Sequence, residues 1–251
     1  MQQYRPTGFR ILPLVVKNIL IINALFFLAT LGFQAAFKIN LTHILGMHYF
    51  GSPLFKPFQI ITYMFMHDPS SFGHIFFNMF ALWMFGNILE NYWGPKRFLT
   101  YYTITGIGAI MVQMLVNYIQ IRNAAAFFTP EQVNEIVSTG SKLLLEDKNF
   151  ADFDIAKLNA LYNMPTIGAS GAVFGLLLAF GMMFPNSVIY LYFAIPIKAK
   201  WFVIIYGAME LFFGVSSYSG DNVAHFAHLG GMLFGFLLIM YWNKKMKKKF
   251  F

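Results

Sequence analysis

Three polar patterns in an otherwise apolar sequence combine residue types that can carry out nucleophilic catalysis. Ser170 lies between glycines at the start of a long apolar run, and His228 lies in the last apolar run. His74 and Asn78 are four residues apart, so in a helix they share one face. An imidazole that accepts the serine proton makes the hydroxyl a nucleophile, and preorganised donors stabilise the resulting oxyanion. These residues indicate acyl-transfer chemistry, provided that the fold brings their helices together.

Small residues accompany both the serine and the histidine. Glycines spaced by four residues follow each of them: Gly171 and Gly175 after Ser170, and Gly231 and Gly235 after His228. Such faces let two membrane helices approach closely, as a hydrogen bond of about 2.6 to 3.2 Å between serine and imidazole requires. Generic packing explains each glycine pair alone, but a reactive residue beside each pair favours a catalytic contact.

The composition identifies the solvent in which this chemistry would operate. Of 251 residues, 58% are hydrophobic and 11% are charged, with a mean hydropathy of +0.58, whereas soluble domains carry about 25% charged residues. The apolar segments are continuous, which favours a helical bundle over a β-barrel. The absence of cysteine from this sequence excludes disulfides, thiol catalysis and thiolate metal sites. The net charge of +8 is interpreted as cytoplasmic anchoring rather than nucleic-acid binding.

Hydropathy predicts an all-α membrane protein with six transmembrane helices. The predicted spans cover residues 18–37, 73–89, 98–121, 166–184, 201–215 and 223–242. The fourth span is short and has an irregular lead-in, so Ser170 is expected to be recessed in a protein-lined cavity. The pair Gly94-Pro95 ends the second span before the third begins.

The segments outside these spans complete the predicted organisation. Residues 1–17 form a basic leader, residues 18–242 the transmembrane domain and residues 243–251 a lysine-rich tail. No small-residue cleavage site follows before the apolar run of residues 18–37 is long enough to span, so this run is interpreted as an uncleaved helix. Residues 38–72 are too broken to span and too apolar for a free loop, which favours an interfacial structure. Residues 122–165 hold six of the ten acidic residues and are interpreted as a partly helical extramembrane insert.

The sequence does not assign a function to this insert. Regulation, substrate approach and a solvated spacer are the open interpretations.

The distribution of positive charge orients the predicted bundle. With the N-terminus inside, the inner segments carry twice as many lysines and arginines as the outer ones. This bias places both termini in the cytoplasm, so the insert and the start of the Ser170 helix open to the extracytoplasmic side. A compact core with a cytoplasmic lysine tail favours a bacterial plasma membrane.

Several motifs together resemble those of the rhomboid family of intramembrane serine proteases. The resemblance lies in Gly168-Ala-Ser-Gly171 at the start of a span, His74-x-x-x-Asn78 on an earlier span and Ala227-His-Leu-Gly-Gly231 on the last one, together with Phe85-Gly-Asn-Ile-Leu-Glu90, Trp93-Gly94 and Arg97. The order and spacing of these motifs are specific. The resemblance covers the six-helix core and implies a six-transmembrane-helix rhomboid-like bundle.

The resemblance implies a catalytic dyad. Ser170 is the expected nucleophile and His228 the expected general base. Asp221, at the mouth of the last span, and Glu210, on the fifth, are not assigned to the site, because no acid lies near enough in sequence to suggest a third member.

The resemblance also implies an oxyanion hole and a reaction. His74 and Asn78, with the backbone amide of Ser170, are the expected donors, although this pair alone would favour hydrogen-bonded contacts between helices. The implied reaction is hydrolysis of a peptide bond in the transmembrane segment of a membrane-protein substrate within the lipid bilayer. It requires no metal or other cofactor.

Further residues are expected to support the site: Gly168, Gly171, Phe174, His225 and Gly231. His225 is the rival base, but the family pattern falls on the histidine that precedes Leu-Gly-Gly. Phe174 stands where the family often has tyrosine, and it can stack on the imidazole but cannot donate a hydrogen bond. Phe58-Gln59 stands where many relatives have Trp-Arg, which is expected to change how residues 38–72 sit in the membrane.

Three other interpretations remain open. An inactive rhomboid-like protein that binds transmembrane clients would share the fold, but it would be expected to lack Ser170 or His228. A small transporter could use intramembrane His and Asn for ions or protons, although no convincing internal repeat is seen. A metalloprotease would need a third ligand beside His225 and His228, and the sequence has no His-Glu-x-x-His motif.

Overall fold

The structure is a computed structural model that describes residues 8–191, 194–216 and 223–247. Within these ranges it holds ten α-helices and a short 3-10 helix (Tyr63–Phe65): α1 (Leu14–Phe37), α2 (Leu41–Leu45), α3 (Gln59–Thr62), α4 (Phe72–Trp93), α5 (Pro95–Ala125), α6 (Pro130–Leu145), α7 (Phe153–Asn163), α8 (Ser170–Met183), α9 (Ala199–Ser216) and α10 (His225–Lys247). One antiparallel hairpin, β1 (Val188–Leu191) and β2 (Ile195–Lys198), connects α8 to α9. Asp221, the first seven residues of the leader and the last four of the tail lie outside the described residues.

Six of these helices form the membrane domain. Five of them, α1, α4, α5, α9 and the part of α10 up to Lys244, are long and apolar enough to cross a bilayer. The sixth, α8, is apolar but has only 14 residues. The prediction of an all-α membrane protein with a six-helix bundle is confirmed, and the helices begin and end within a few residues of the predicted spans.

Helix α8 lies at the centre of this bundle. It contacts α4, α5, α9 and α10, and most of its residues are buried. By contrast, Ala199 and Val203 are the buried residues of the 18-residue helix α9. Because protein rather than lipid surrounds α8, this helix can be shorter than a bilayer is thick.

Two local features fix the ends of α4, α5 and α1. Gly94 has a φ of +79°, which side chains rarely adopt, and Pro95 opens α5. Glu90 is buried, and its two carboxylate oxygens accept hydrogen bonds from the amides of Val15 and Val16 at 2.9 and 2.8 Å. These amides belong to the first turn of α1, where unpaired N–H groups and the helix dipole favour a carboxylate. Glu90 therefore joins α4 to the start of α1.

Glycines determine how closely α8, α10 and α5 pack. A Cβ on Gly231 would collide with the backbone oxygen of Gly171, so α10 lies directly on the α8 backbone. Gly175 and Gly235 differ from the expected arrangement because they face α5. A Cβ on Gly175 would collide with Thr105, and one on Gly235 would meet tyrosine and threonine side chains of the same helix. The close approach of α8 and α10 is thus next to the reactive residues, and α5 packs against both helices further along.

The insert is folded and docked on the segment that precedes α4. Helices α6 and α7 pack against each other, and α7 packs against α5. Asn163 donates from Nδ2 to the Val137 oxygen at 3.0 Å and accepts from Ser52 Oγ at 2.6 Å. Its backbone oxygen lies 2.7 Å from Nδ1 of His48. These contacts join the insert to residues 38–72 and do not fit a spacer that is only solvated.

Gln59 organises the segment of residues 38–72 from within. Its side chain is fully buried. Nε2 donates to the backbone oxygens of Ile44 and Leu54 at 3.1 and 3.0 Å, and Oε1 accepts from the amide of Lys56 at 3.0 Å. Because the amide is buried and satisfied on both sides, Gln59 holds the irregular backbone of this segment together from within.

Candidate active site

Ser170 and His228 meet across the contact between α8 and α10. Oγ of Ser170 lies 2.9 Å from Nε2 of His228. Both side chains come from the first turn of their helices, since α8 begins at Ser170 and α10 begins at His225. His228 is 8% exposed and Ser170 is half-buried. The hydroxyl and the imidazole therefore share a recessed position at one end of the bundle.

Glu210 of α9 extends this pair into a chain of hydrogen bonds. Its Oε2 lies 2.8 Å from Nδ1 of His228 and 2.6 Å from Nδ1 of His225. Glu210 was not assigned to the site from the sequence, because 18 residues and a helix boundary separate it from His228. The signal that could have found it is its position as an acid within a predicted span, where an unpaired charge would be costly.

Phe174 packs flat on the imidazole of His228. The ring centroids are 4.2 Å apart and the planes differ by 6°. Phe174 follows Ser170 by one helical turn, so α8 supplies both the hydroxyl and the surface that orients the imidazole. Stacking leaves both ring nitrogens of His228 free to form hydrogen bonds in the ring plane, one toward Ser170 and one toward Glu210.

His74 of α4 lies near the same serine. A Cβ on Gly168 would lie 3.1 Å from Nε2 of His74 and 3.5 Å from Oγ of Ser170, so both atoms border the space beside Gly168. The φ of Gly168 is +124°, a conformation that favours glycine. Nδ1 of His74 accepts a long hydrogen bond, 3.4 Å, from the amide of Asp68. This pattern fits the tautomer whose Nε2 carries the proton and can donate it.

Asn78 and the start of α8 supply further N–H groups. Asn78 is buried and donates one N–H to the backbone oxygen of His74 at 2.9 Å, which leaves its second N–H for another acceptor. In α8 the amide of Val173 bonds to the oxygen of Ala169. The amides of Ser170 and of the next two residues therefore precede the intrahelical ladder, at the positive end of the helix dipole.

His67 is a further histidine near the site that the sequence analysis did not single out. It is fully buried, and its ring meets that of His74 edge-on at 5.1 Å. In the part of the chain that the structure describes, neither ring nitrogen of His67 has a hydrogen-bond partner with good geometry. Burial, followed by the neighbouring His74, lowers the pKa of His67 to about 4. His67 is thus a neutral side chain behind His74 at neutral pH.

Glu210, His225 and His228 also form a possible metal-ligand set. Their donor atoms lie within 4.8 Å of one another, so Glu210 supplies the third ligand that the sequence did not reveal. The N···O separations of 2.6 and 2.8 Å are hydrogen-bond distances. Two ligands of one tetrahedral zinc, each about 2.0 Å from the ion, would lie roughly 3.3 Å apart. The cluster as it stands is therefore a hydrogen-bonded one.

Comparison with known proteins gives concordant results. The Rhomboid domain family matches residues 55–129 and 135–245. The chain is 26% identical over 191 residues to "Rhomboid protein 1, mitochondrial" of Saccharomyces cerevisiae, which covers 76% of this chain and 43% of that protein. It is 27% identical over 220 residues to "RHOMBOID-like protein 12, mitochondrial" of Arabidopsis thaliana, which covers 86% of this chain and 55% of that protein.

The chain thus spans about half the length of these curated relatives. The family match covers well over half of this chain and includes α4, α5, α8, α9 and nearly all of α10. The resemblance seen in the sequence motifs is confirmed: this multi-pass membrane protein belongs to the rhomboid family.

Proposed function

We propose that this protein is an intramembrane serine endopeptidase that cleaves transmembrane segments of membrane proteins. The observation that supports this best is the 2.9 Å contact between Ser170 Oγ and His228 Nε2. A serine hydroxyl is a weak nucleophile alone, and an imidazole at this distance is positioned to remove its proton. Family membership supports the same reaction class.

In the first half of the reaction, the Oγ of Ser170 attacks the scissile carbonyl carbon. As the new O–C bond forms, the hydroxyl proton passes to Nε2 of His228 and the carbonyl π electrons move to oxygen. The imidazolium then gives this proton to the leaving amine nitrogen as the C–N bond breaks. In the second half, water attacks the carbonyl of the acyl-enzyme while His228 accepts a proton from the water. The imidazolium then returns this proton to Oγ of Ser170 as the carboxylic acid product leaves.

The oxyanion formed in both halves needs donors on the side of Ser170 away from His228. Nε2–H of His74, the second N–H of Asn78 and the amides at the start of α8 are the proposed donors. The position of His74 Nε2, which borders the space beside Gly168 and Ser170, supports this assignment. Donors fixed in place before the reaction stabilise the developing charge without reorganisation.

The substrate class follows from the position of the site. The site lies among membrane-spanning helices and is recessed between α8, α10 and α4. A transmembrane helix must unwind locally to present its carbonyl there, so segments with small or helix-breaking residues near the outer end are the proposed substrates.

We propose that both termini are cytoplasmic and that the site opens to the extracytoplasmic side, as the charge distribution predicts. The bacterial plasma membrane stays a prediction, and the mitochondrial names of the two relatives do not favour it. Because the chain has no cysteine, single variants such as Ser138→Cys and Lys244→Cys can be labelled in sealed vesicles. An impermeant maleimide should reach the first from outside and the second only after permeabilisation; the reverse pattern would invert the topology.

Cleavage of a model transmembrane substrate in liposomes tests the function. The wild type should yield two fragments, whose new termini mass spectrometry identifies, and Ser170→Ala should yield none. A chelator should leave the rate of substrate cleavage unchanged. A metalloprotease would instead lose activity with the chelator and regain it when zinc is added. A client-binding protein would capture the substrate without cutting it, and uncut substrate with the wild type would refute the proposal.

A further inference from the structure

We propose that Glu210 is a positioning residue that turns the Ser170–His228 pair into a Ser–His–Glu triad. The inference rests on the proposed function, because it assigns Glu210 a role in the same reaction. Glu210 acts through His228 and does not touch the substrate. His225 holds the carboxylate in place through the same oxygen atom.

The proton inventory of the cluster leads to this assignment. A carboxylate oxygen only accepts hydrogen bonds, so Oε2 of Glu210 requires a proton on each Nδ1 that it contacts. Those contacts are 2.8 Å to His228 and 2.6 Å to His225. A neutral imidazole with its proton on Nδ1 has a lone pair on Nε2. In His228 this lone pair is the atom that lies 2.9 Å from Ser170 Oγ.

Glu210 therefore selects the reactive tautomer. With the proton on Nε2 instead, His228 would donate to the serine oxygen and could not act as a base. The flat contact with Phe174 fixes the plane of the ring, and it does not distinguish one ring nitrogen from the other. The choice between the two tautomers is thus made at Nδ1, by the carboxylate.

The carboxylate also compensates the charge that appears during the reaction. When His228 accepts the serine proton, the imidazolium lies 2.8 Å from Oε2 of Glu210. The side chains of Glu210 and His228 are 12% and 10% exposed, so water screens this attraction little. Stabilisation of the imidazolium lowers the barrier to formation of each tetrahedral intermediate, in which this charge is present.

His225 makes the buried carboxylate tolerable. A carboxylate within a membrane bundle is costly unless its oxygens accept hydrogen bonds. His225 donates to the same Oε2 from one helical turn before His228, with its side chain 11% exposed. The ring of Phe213, on α9, lies 5.8 Å from that of His225. His225 thus belongs to the support of Glu210 and is not a second base for Ser170.

The test compares Glu210→Gln, Glu210→Asp and Glu210→Ala with the wild type in the liposome assay. Glutamine keeps the shape, but its NH2 group can donate to Nδ1 and select the wrong tautomer. The kcat of Glu210→Gln should therefore fall by about 10²- to 10⁴-fold with little change in KM. Glu210→Asp keeps the charge at greater distance and should retain more activity than Glu210→Gln. Met209→Leu, at the exposed neighbouring position on α9, is the matched control.

Chemical rescue separates positioning from a purely structural role. In Glu210→Ala the missing carboxylate leaves a space beside His228, and added formate should restore part of the lost kcat, whereas formamide should not. A thermal melt of each variant in detergent checks the fold. If Glu210→Ala does not fold, the comparison of Glu210→Gln with Glu210→Asp decides.

Two results would overturn the inference while leaving the protease assignment intact. The first is a Glu210→Gln enzyme with the kcat of the wild type, alongside an inactive Ser170→Ala. The second is a loss of activity that follows a loss of thermal stability and that formate does not reverse. If the wild type itself cleaves no substrate and Ser170 does not react with a fluorophosphonate, the proposed function fails and this inference fails with it.

Discussion

Oγ of Ser170 lies 2.9 Å from Nε2 of His228, although 58 positions separate the two residues in the sequence. Two helices must approach closely for this contact to form, and the glycines beside the two residues permit it. The distance between Ser170 and His228 therefore depends on the neighbouring glycines as well as on the two side chains themselves.

Replacing Gly231 should separate Ser170 from His228. The Cβ of Gly231→Ala would collide with the backbone oxygen of Gly171, and backbone cannot move aside as a flexible side chain can. We expect a loss of about 1–3 kcal/mol in the free energy of unfolding, as for overpacked cores, and a fall in kcat. Thermal unfolding and the cleavage rate measure the two effects.

Gly32→Ala is the matched control for this glycine. It lies within α1, five residues before the last residue, Phe37, and a Cβ there would meet nothing within 4 Å. This change should leave cleavage unaltered and preserve or slightly raise stability, because alanine favours helix by up to about 1 kcal/mol over glycine. If Gly231→Ala and Gly32→Ala had the same stability and cleavage rate, α8 and α10 would have to lie further apart than in the structure.

Removal of the proposed oxyanion donors should lower kcat more than it raises KM. His74→Ala should cost about 10²- to 10³-fold in kcat, because its Nε2–H is aimed at the space beside Gly168. Asn78→Ala should cost less, since one of its N–H groups is committed to the His74 oxygen. Steady-state kinetics in detergent measure both parameters.

Phe77→Leu provides the control on the same helix. Its ring is 69% exposed, next to the buried Asn78, and the change should leave both kinetic parameters unaltered. An increase in KM with constant kcat in His74→Ala would instead identify His74 as a substrate-binding residue.

Glu90→Gln should destabilise the bundle without altering the chemistry. The carboxylate accepts two backbone hydrogen bonds at the start of α1, whereas an amide offers one oxygen and an NH2 group that cannot accept. The loss should be about 1–3 kcal/mol, as for an unpaired buried amide. The unfolding midpoint should fall while kcat at low temperature stays constant, because Glu90 lies 16 residues along α4 from His74, or about 24 Å. Glu135→Gln, exposed on α6, should change neither.

Acid should weaken the fold through His67. Its pKa in the folded protein is about 4, below the ordinary value of 6.5, so between these values the unfolded chain binds more protons. The stabilising contribution of neutral His67 is therefore complete above pH 6.5 and is lost as the pH falls toward 4, on the order of 1–3 kcal/mol. Thermal melts from pH 7 to pH 4 of the wild type and His67→Phe should show a shallower decline in the variant. Parallel declines would mean that His67 accepts its proton without cost.

The sequence predicted the parts of this fold that the bilayer dictates. A lipid-exposed backbone must form helices of sufficient length, so apolar runs alone locate α1, α4, α5, α9 and α10. The short helix α8 was predicted because glycines and a serine preceded its apolar run. The start of α8 lies among other helices rather than in lipid. This position results from packing between helices, which no local sequence pattern encodes.

The candidate site was predictable where its residues form local motifs and was not where they meet through the fold. Ser170, His228, His74 and Asn78 stand in recognisable short patterns. Glu210 does not, because its partners lie 15 and 18 residues away on another helix. The docking of the insert could not be predicted for the same reason, because the hydrogen bond between Ser52 and Asn163 joins residues that are 111 positions apart.

Reaction with a fluorophosphonate probe, followed by mapping of the labelled peptide, shows whether His228 activates Ser170. Such a probe reacts with a serine that a base activates, so the wild type should carry the label on Ser170, and His228→Ala should carry almost none. Folded wild-type protein that remains unlabelled, or a label on another serine that survives loss of His228, would contradict the account.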